Sequence, residues 1–176
     1  MRLPLFKRLT FGYAAILLLL IFLGGYVTLQ LQELNRRTLA ITEIDSTTVR
    51  LAENISDTLI TQESFEKKYL ISRDPDFHRH FWNIGDYIEK DLKRLRPLLS
   101  TPSQTALFAA TSASYANYQT LFRKEHEFVE SGKSYAYTTF QTSKEKALEG
   151  IHQNITKIIT AARASRDRKL ADSHRI

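Results

Sequence analysis

The chain has 176 residues, a formal net charge of +6 and no cysteine. The absence of cysteine excludes a disulfide framework, a thiolate metal site and a cysteine nucleophile. Only 6 glycines and 4 prolines occur in the whole sequence, which favours long helices over many short strands.

The first predicted element is an apolar helix over residues 11–30. No charged side chain occurs between Arg8 and Glu33, and ~20 helical residues cross a hydrocarbon layer of ~30 Å. The apolar core of a cleaved signal peptide is shorter, about 7–15 residues, and ends at small residues that are not found here as an Ala-x-Ala site. We therefore expect an uncleaved anchor that spans the lipid bilayer.

The charges beside this helix predict its orientation. Arg2, Lys7 and Arg8 precede the apolar run and no acidic residue does, and basic flanks of this kind stay in the cytoplasm. We expect residues 1–10 in the cytoplasm, the anchor in the bacterial inner membrane, and residues 31–172 in the periplasm. An external domain does not meet nucleic acid, so the positive net charge does not indicate a nucleic-acid partner.

The helix is expected to continue past the membrane as the first bundle helix, residues 31–72. This segment contains no glycine or proline, and two stripes of heptad spacing indicate a coiled-coil-like seam with polar interruptions. The first stripe comprises Leu34, Ile41, Thr48, Ile55, Gln62 and Tyr69. The second stripe comprises Arg37, Ile44, Leu51, Thr58 and Phe65. The polar members have two interpretations. They fix the register of the helix packing, or they mark a ligand pocket or a helix contact of low stability that allows sliding.

A second helix is predicted over residues 75–97. Asp74 is a suitable N-cap, and Pro75 fits the first helical position. Apolar residues follow at alternating three- and four-residue steps, which is typical of an amphipathic helix. Pro97 should end or kink this helix.

A third helix is predicted over residues 102–131. The stretch from Thr101 to Gln104 has the spacing of a capping box, with proline at the first helical position. Gly132 can adopt the left-handed conformation that commonly terminates a helix.

The fourth helix is predicted over residues 134–172, with residues 173–176 approaching a presumed second transmembrane helix. Its apolar positions are Tyr137, Phe140, Leu148, Ile151, Ile155, Ile158, Ile159 and Ala162. Short turns between four long helices predict an all-α, up-down-up-down bundle that continues the transmembrane helix. The basic end of the last helix either rests on anionic headgroups or is an ordinary solvated helix end.

The stretch from Glu63 to Phe77 resembles a family motif, Glu-x-x-x-Arg-Gly-Tyr-Leu-Leu-Thr-Gly-Asp-Pro-x-Phe. That motif lies at the first tip of extracytoplasmic four-helix sensor domains, the four-helix-bundle chemoreceptor and CHASE3-like modules. The matching residues are Tyr69, Leu70, Asp74, Pro75 and Phe77. Lys67 and Lys68 replace Arg-Gly, and Ser72 and Arg73 replace Thr-Gly, so the tip lacks its usual glycine and a tight left-handed turn there is in question.

The resemblance implies the sensor region of a bacterial receptor. We expect the extracytoplasmic input region of a two-component sensor histidine kinase, which relays a signal across the membrane by helix displacement. Such receptors are homodimers and continue into a second membrane span, here expected after Ile176, and then into a kinase or signalling part. One alternative is the ligand-binding region of a methyl-accepting chemotaxis receptor. Another is a membrane-tethered structural or adaptor bundle with no ligand.

No catalytic constellation, metal site or cofactor motif is legible in residues 1–176. Glu149-x-x-His152 has the spacing of half a di-iron site, but no second copy occurs. The resemblance also implies a small organic anion, or a periplasmic partner, near the membrane-distal tip. Lys67, Lys68 and Arg73, with Trp82 as an aromatic wall, could hold a carboxylate there. The alternative is that these are solvated charges and a packed indole.

Overall fold

The computed structural model describes the backbone of residues 5–173 and the side chains of residues 19–28 and 43–171. Four α-helices and one short 3₁₀ turn follow each other along this range. They are α1 (Leu5–Ser72), α2 (Pro75–Leu95), the 3₁₀ turn (Arg96–Leu98), α3 (Pro102–Glu130) and α4 (Tyr137–Ser173). No strand occurs among the described residues, so the predicted all-α class is confirmed.

The chain divides into two compact units, Met1–Ile41 and Thr42–Ile176, and α1 contributes residues to both. Within the described part of the chain, no helix combines the length and the apolar character that a bilayer-spanning helix needs. The transmembrane helix predicted over residues 11–30 extends at both ends into residues whose side chains lie outside that part. The predictions for residues 1–10 and 173–176 also lie wholly or largely outside it.

The first heptad stripe of α1 faces the core. Its described members, Thr48, Ile55, Gln62 and Tyr69, are all buried. Leu51 of the second stripe is buried as predicted. The other described members lie one residue out of phase with the core: Ile44 is 46% exposed, and Thr58 and Phe65 are only half-buried. The buried residues of this seam are Asp45, Ala52, Leu59 and Glu66. Apolar periodicity missed that phase because two of the four are carboxylates that pair with lysines of α4.

The turn between α1 and α2 forms without a glycine. Arg73 takes the left-handed conformation, with φ of 59°, and its backbone N–H donates to the Tyr69 carbonyl at 2.8 Å. Asp74 then caps α2, as predicted, by accepting a hydrogen bond from the backbone N–H of Asp76 at 2.9 Å. Pro97 lies within the 3₁₀ turn, so α2 itself ends at Leu95, two residues before the predicted end.

The predicted capping box begins α3. The Thr101 hydroxyl accepts from the Gln104 backbone N–H at 3.2 Å, and the Gln104 side chain accepts from the Thr101 backbone N–H at 3.3 Å. At the other end, Gly132 has φ of 62°. The Lys133 N–H donates to the Phe128 carbonyl at 3.2 Å, which completes a Schellman motif.

Helix α4 begins at Tyr137, three residues later than predicted. The connection is held outside the helix by Tyr135, whose hydroxyl donates to Glu125 Oε1 at 3.0 Å and whose ring stacks on Phe128 at 5.7 Å. Tyr137, predicted on the apolar face, is 53% exposed. The predicted face is otherwise buried or half-buried from Phe140 to Ala162.

Contacts between α4 and α1 define where the chain enters and leaves the bundle. Lys169 Nζ lies 2.6 Å from Asp45 Oδ2, and an Arg163 guanidinium nitrogen lies 2.6 Å from Glu53 Oε1. The last turns of α4 therefore lie beside the start of the bundle part of α1. Lys144, near the start of α4, contacts α1 near its end, at Glu66. The two helices are antiparallel, as an up-down-up-down bundle requires.

Candidate functional site

Five side chains near the far end of α1 form a polar group inside the bundle, which we call the charge cluster: Glu66, Tyr118, Glu125, Tyr135 and Lys144. The side chain of Lys144 is 1% exposed, and the Glu125 side chain is fully buried. Ionic side chains are rarely buried to this extent unless they are paired.

Every carboxylate oxygen of the charge cluster accepts a hydrogen bond. The Lys144 ammonium donates to Glu66 Oε1 and to Glu125 Oε2. The Tyr118 hydroxyl donates to Glu66 Oε2, and the Tyr135 hydroxyl donates to Glu125 Oε1. Among the described residues no buried side-chain nitrogen or oxygen lacks a partner. The cluster therefore joins α1, α3 and α4 through one ammonium group.

The charge cluster holds two carboxylates and one cation. Burial raises the pKa of Glu66, and this effect exceeds the opposing attraction of Lys144 and the hydrogen bonds from Lys144 and Tyr118. Burial also raises the pKa of Tyr118, and the neighbouring Glu66 charge adds to that rise. The pKa of Tyr135 rises to about 12, through burial and its bond to Glu125. Burial therefore favours the protonated form of the Glu66 carboxyl.

A histidine pair lies beside the charge cluster. The rings of His78 on α2 and His126 on α3 stack with centroids 3.9 Å apart and planes inclined by 17°. Trp82 Nε1 donates to His78 Nε2 at 3.0 Å. Burial lowers the pKa of His78, and the charge of His126 lowers it further, whereas Glu130 has the opposite effect.

Tyr69 links this pair to α1. Its hydroxyl donates to Glu130 Oε1 at 2.9 Å and lies 2.6 Å from His126 Nδ1. Because the one hydroxyl hydrogen points to Glu130, His126 Nδ1 must donate to the Tyr69 oxygen. The pair and the charge cluster therefore share the same end of α1, with Tyr69 and Glu66 on successive turns.

A family model described as a four helix bundle sensory module for signal transduction matches residues 2–170. The chain belongs to this family. The resemblance drawn from the tip motif is thereby confirmed, and the order of helices in the sensory module agrees with it. Comparisons with curated proteins and with solved structures give no match.

Three of the four residues predicted to bind an anion, Lys67, Lys68 and Trp82, contact other side chains of the sensory module. Lys67 pairs with Glu63 at 2.6 Å, and the Lys68 ammonium lies over the rings of Phe65 and Phe77, 5.3 and 5.8 Å from their centroids. The Trp82 ring carries the Arg123 guanidinium at 5.2 Å, and Arg73 forms the turn. None of the described contacts joins two of the four.

One polar residue of the first heptad stripe, Gln62, binds two neighbouring helices. Gln62 is fully buried; its Nε2 donates to the Phe81 carbonyl at 3.0 Å, and its Oε1 accepts from the Tyr115 hydroxyl at 3.1 Å. Thr48 bonds within its own helix, to the Ile44 carbonyl at 2.9 Å. The Gln62 contacts agree with the interpretation that a polar seam residue fixes the register of the packing, whereas the Thr48 bond does not bear on it.

The sequence reasoning missed the three ionic residues of the charge cluster. A signal for them existed, because each lies seven residues from a buried position on its own helix. Glu66 follows Leu59, Glu125 follows Tyr118, and Lys144 precedes Ile151. When three helices each place a charged residue at a heptad position that faces the core, and these residues include both acids and a base, the pattern indicates a buried ion group.

Proposed function

We propose that this sensory module is the extracytoplasmic input region of a two-component sensor histidine kinase. Residues 11–30 would anchor it in the bacterial inner membrane, with the N-terminus in the cytoplasm and the bundle in the periplasm. The observation that carries the proposal is the set of ionic contacts between α1 and α4, Glu66–Lys144, Glu53–Arg163 and Asp45–Lys169. The helix that enters the bundle is thereby coupled to the helix that leaves it.

The relay works through displacement of α4 relative to α1. Shifts of about 1–2 Å between packed helices are typical of receptors and switches. The Lys144 ammonium bridges carboxylates on two other helices. A shift of α4 therefore breaks one set of ionic contacts and forms another, so the bundle has two alternative arrangements and not a continuous series of them. A ligand or partner that prefers one arrangement changes the populations of the two.

The relay also involves a homodimer with α1 at the interface. The outward stripe of α1 carries Ile60, which is 54% exposed, and Ile71, which is 85% exposed, with Ser64 and Lys67 between them. Cysteines introduced singly at Ile60 and Ser64 should form crosslinked dimers in native membranes, whereas cysteine at Asp86 on α2 should not. If none of the positions of the α1 stripe forms a crosslinked dimer, this interface is excluded.

A disulfide across the α1–α4 contact tests the relay. The chain has no native cysteine, so the double variant Glu53→Cys/Arg163→Cys carries one defined pair on the facing turns of α1 and α4 that an ion pair joins. The extent of disulfide formation is measured by mass before the output is compared. We expect the oxidised, crosslinked receptor in membranes to show one constant rate of basal autophosphorylation. After the disulfide is reduced, the rate should again vary as it does in the wild-type receptor. The single variant Glu53→Cys is the control. Unchanged output after complete disulfide formation would refute the relay.

The family match favours a second candidate, the ligand-binding region of a methyl-accepting chemotaxis receptor, because the same module serves chemoreceptors and other signal transducers. Autophosphorylation by the native protein would identify a kinase, whereas reversible glutamate methylation would identify a chemoreceptor. A tethered adaptor bundle predicts a native mass near the 20.3 kDa of this chain and neither modification. A much larger native mass would exclude the adaptor.

A further inference from the structure

A groove of about 390 Å³ lies between α2 and α3, within the ~300–1,000 Å³ typical of small-molecule pockets. Its floor is apolar. Leu92 and Tyr115 are buried and Phe108 is half-buried. The Tyr115 hydroxyl is bound inside the bundle, to Gln62 at 3.1 Å, so this residue offers its ring to the groove.

The rim of the α2–α3 groove carries unpaired positive charge. Lys93 and Arg96 both line it from α2, and neither forms an ion pair with any residue in the described part of the chain. The acidic residue of the lining, Glu89, accepts a hydrogen bond from Gln119 at 3.4 Å and retains its charge, so Lys93, Arg96 and Glu89 together leave the lining with one net positive charge. Arg94, which is on the same helix but does not line the groove, differs because it pairs with Asp91.

We propose that the α2–α3 groove binds an organic monocarboxylate with an aromatic body. The carboxylate would accept charge-assisted hydrogen bonds from Lys93 and Arg96, and the ring would pack on Leu92, Phe108 and Tyr115. A neutral aromatic molecule leaves the two cations unpaired. A short dicarboxylate forces a second charge onto the apolar floor, which is unfavourable without a partner.

Binding here would reach α1 through one side chain. Tyr115 forms part of the floor and donates to Gln62, a fully buried residue of the first heptad stripe of α1. A ligand that moves the Tyr115 ring therefore changes a contact between α3 and α1. This signalling role rests on the proposed function, whereas binding itself does not.

Calorimetric titration of the whole chain in detergent tests the ligand class. Phenylacetate is the probe, phenylacetamide its neutral isostere and succinate the dicarboxylate. We expect saturable heat with phenylacetate and at least about tenfold weaker binding of the other two. No saturation by phenylacetate below about 10 mM, or equal binding of phenylacetamide, would overturn the proposal.

Variants of the rim and floor locate the site. Lys93→Gln/Arg96→Gln should weaken phenylacetate binding at least about tenfold, and Ala116→Leu, at an exposed lining position, should weaken it by filling the groove. Lys90→Gln/Lys124→Gln removes the same charge at exposed residues outside the groove and should bind as wild type. Equal weakening in this control would show diffuse charge attraction and refute the site.

A parallel measurement of receptor output separates the two proposals. Phenylacetate that binds the groove and changes autophosphorylation or methylation supports both. Binding with unchanged output refutes the sensing role of the groove and leaves the binding site intact. Failure to bind refutes the groove and leaves the sensory function intact, because the disulfide test does not depend on a ligand.

Discussion

The ammonium group of Lys144 on α4 donates a hydrogen bond to the carboxylate of Glu66 on α1, in the interior of the bundle. The first and last helices are therefore joined by buried ions at one end and by the partly buried ion pair of Asp45 and Lys169 at the other. A buried ion group contributes little net stability over an apolar core, but removing one partner is strongly unfavourable. Lys144 is accordingly the residue whose loss the bundle should tolerate least.

Replacing Lys144 with methionine should destabilise the bundle by about 3–5 kcal/mol at neutral pH, because two buried carboxylates lose their cation. The loss should shrink as the pH falls, since protonation removes the uncompensated charge. Urea unfolding followed by circular dichroism measures both effects. Lys146→Met removes the same charge from an exposed position of α4 and should change stability by less than about 0.5 kcal/mol. Equal losses in the two variants would contradict the buried ionic role.

Replacing Glu66 with glutamine should change how stability depends on pH. The pKa of Glu66 is raised above its ordinary 4.5, so the folded state binds this proton more tightly than the unfolded state does. The contribution of the protonated Glu66 side chain to the free energy of unfolding is full below about pH 4.5, and it is lost as the pH rises through the pKa of Glu66 in the folded state. Relative to wild type, Glu66→Gln should therefore gain stability as the pH rises through that window. Glu127→Gln, at an exposed position of α3, should run parallel to wild type, and a parallel Glu66→Gln curve would disprove the shift.

Acidification should weaken the packing around the histidine pair. The pKa of His78 is lowered from 6.5, so its contribution to stability is present above pH 6.5 and is lost as the pH falls through the folded pKa. Glutamine at this position retains an acceptor for Trp82 Nε1 but does not titrate. Between about pH 7.5 and 5.5, the melting temperature of His78→Gln should fall less than that of wild type. The comparison variant His80→Gln removes a histidine of the same helix whose ring stacks on Phe65, outside the histidine pair. Identical curves for all three proteins would argue against a role for His78.

Glycine at position 73 should stabilise the bundle. Arg73 has φ of 59°, a conformation that costs an L-residue about 1–2 kcal/mol and costs glycine almost nothing. After the larger backbone entropy of glycine in the unfolded state is subtracted, we expect a net gain of about 0.5–1 kcal/mol. Arg73→Ala removes the charge but retains the strained backbone and should show no gain. A gain of the same size in Arg73→Ala would assign the effect to charge.

Two glycines in helices should respond to alanine with opposite signs. A Cβ at Gly85 would lie 3.0 Å from Gln62 Nε2 and 3.2 Å from the Tyr115 hydroxyl, two groups held by their own hydrogen bonds. We expect Gly85→Ala to cost about 1–3 kcal/mol. A Cβ at Gly150 would meet only Ser114 Oγ, at 3.5 Å, so Gly150→Ala should gain about 0.5–1 kcal/mol from helix propensity. Urea midpoints of both variants provide the comparison, and a stabilising Gly85→Ala would show that Gln62 and Tyr115 can move aside.

Three of the helix ends were determined by local sequence. The cap at Asp74, the capping box from Thr101 and the left-handed Gly132 each depend on residues within one turn, so their chemistry is legible without a fold. The late start of α4 was not legible in this way, because Tyr135 is held outside the helix by Glu125, ten residues earlier. The left-handed Arg73 was in question for a similar reason, since an arginine adopts this conformation only where the surrounding turn enforces it.

By itself, then, the sequence determined the all-α class, the family motif at the tip and the first heptad stripe of α1, because periodicity and capping act over a few residues. The phase of the second stripe depended on tertiary structure, since Asp45 and Glu66 are buried only where lysines of α4 meet them. The same holds for the charge cluster, the histidine pair and the α2–α3 groove. Each is assembled from side chains far apart in the chain, and the free energy of burying a charge depends on which partner the packing places beside it.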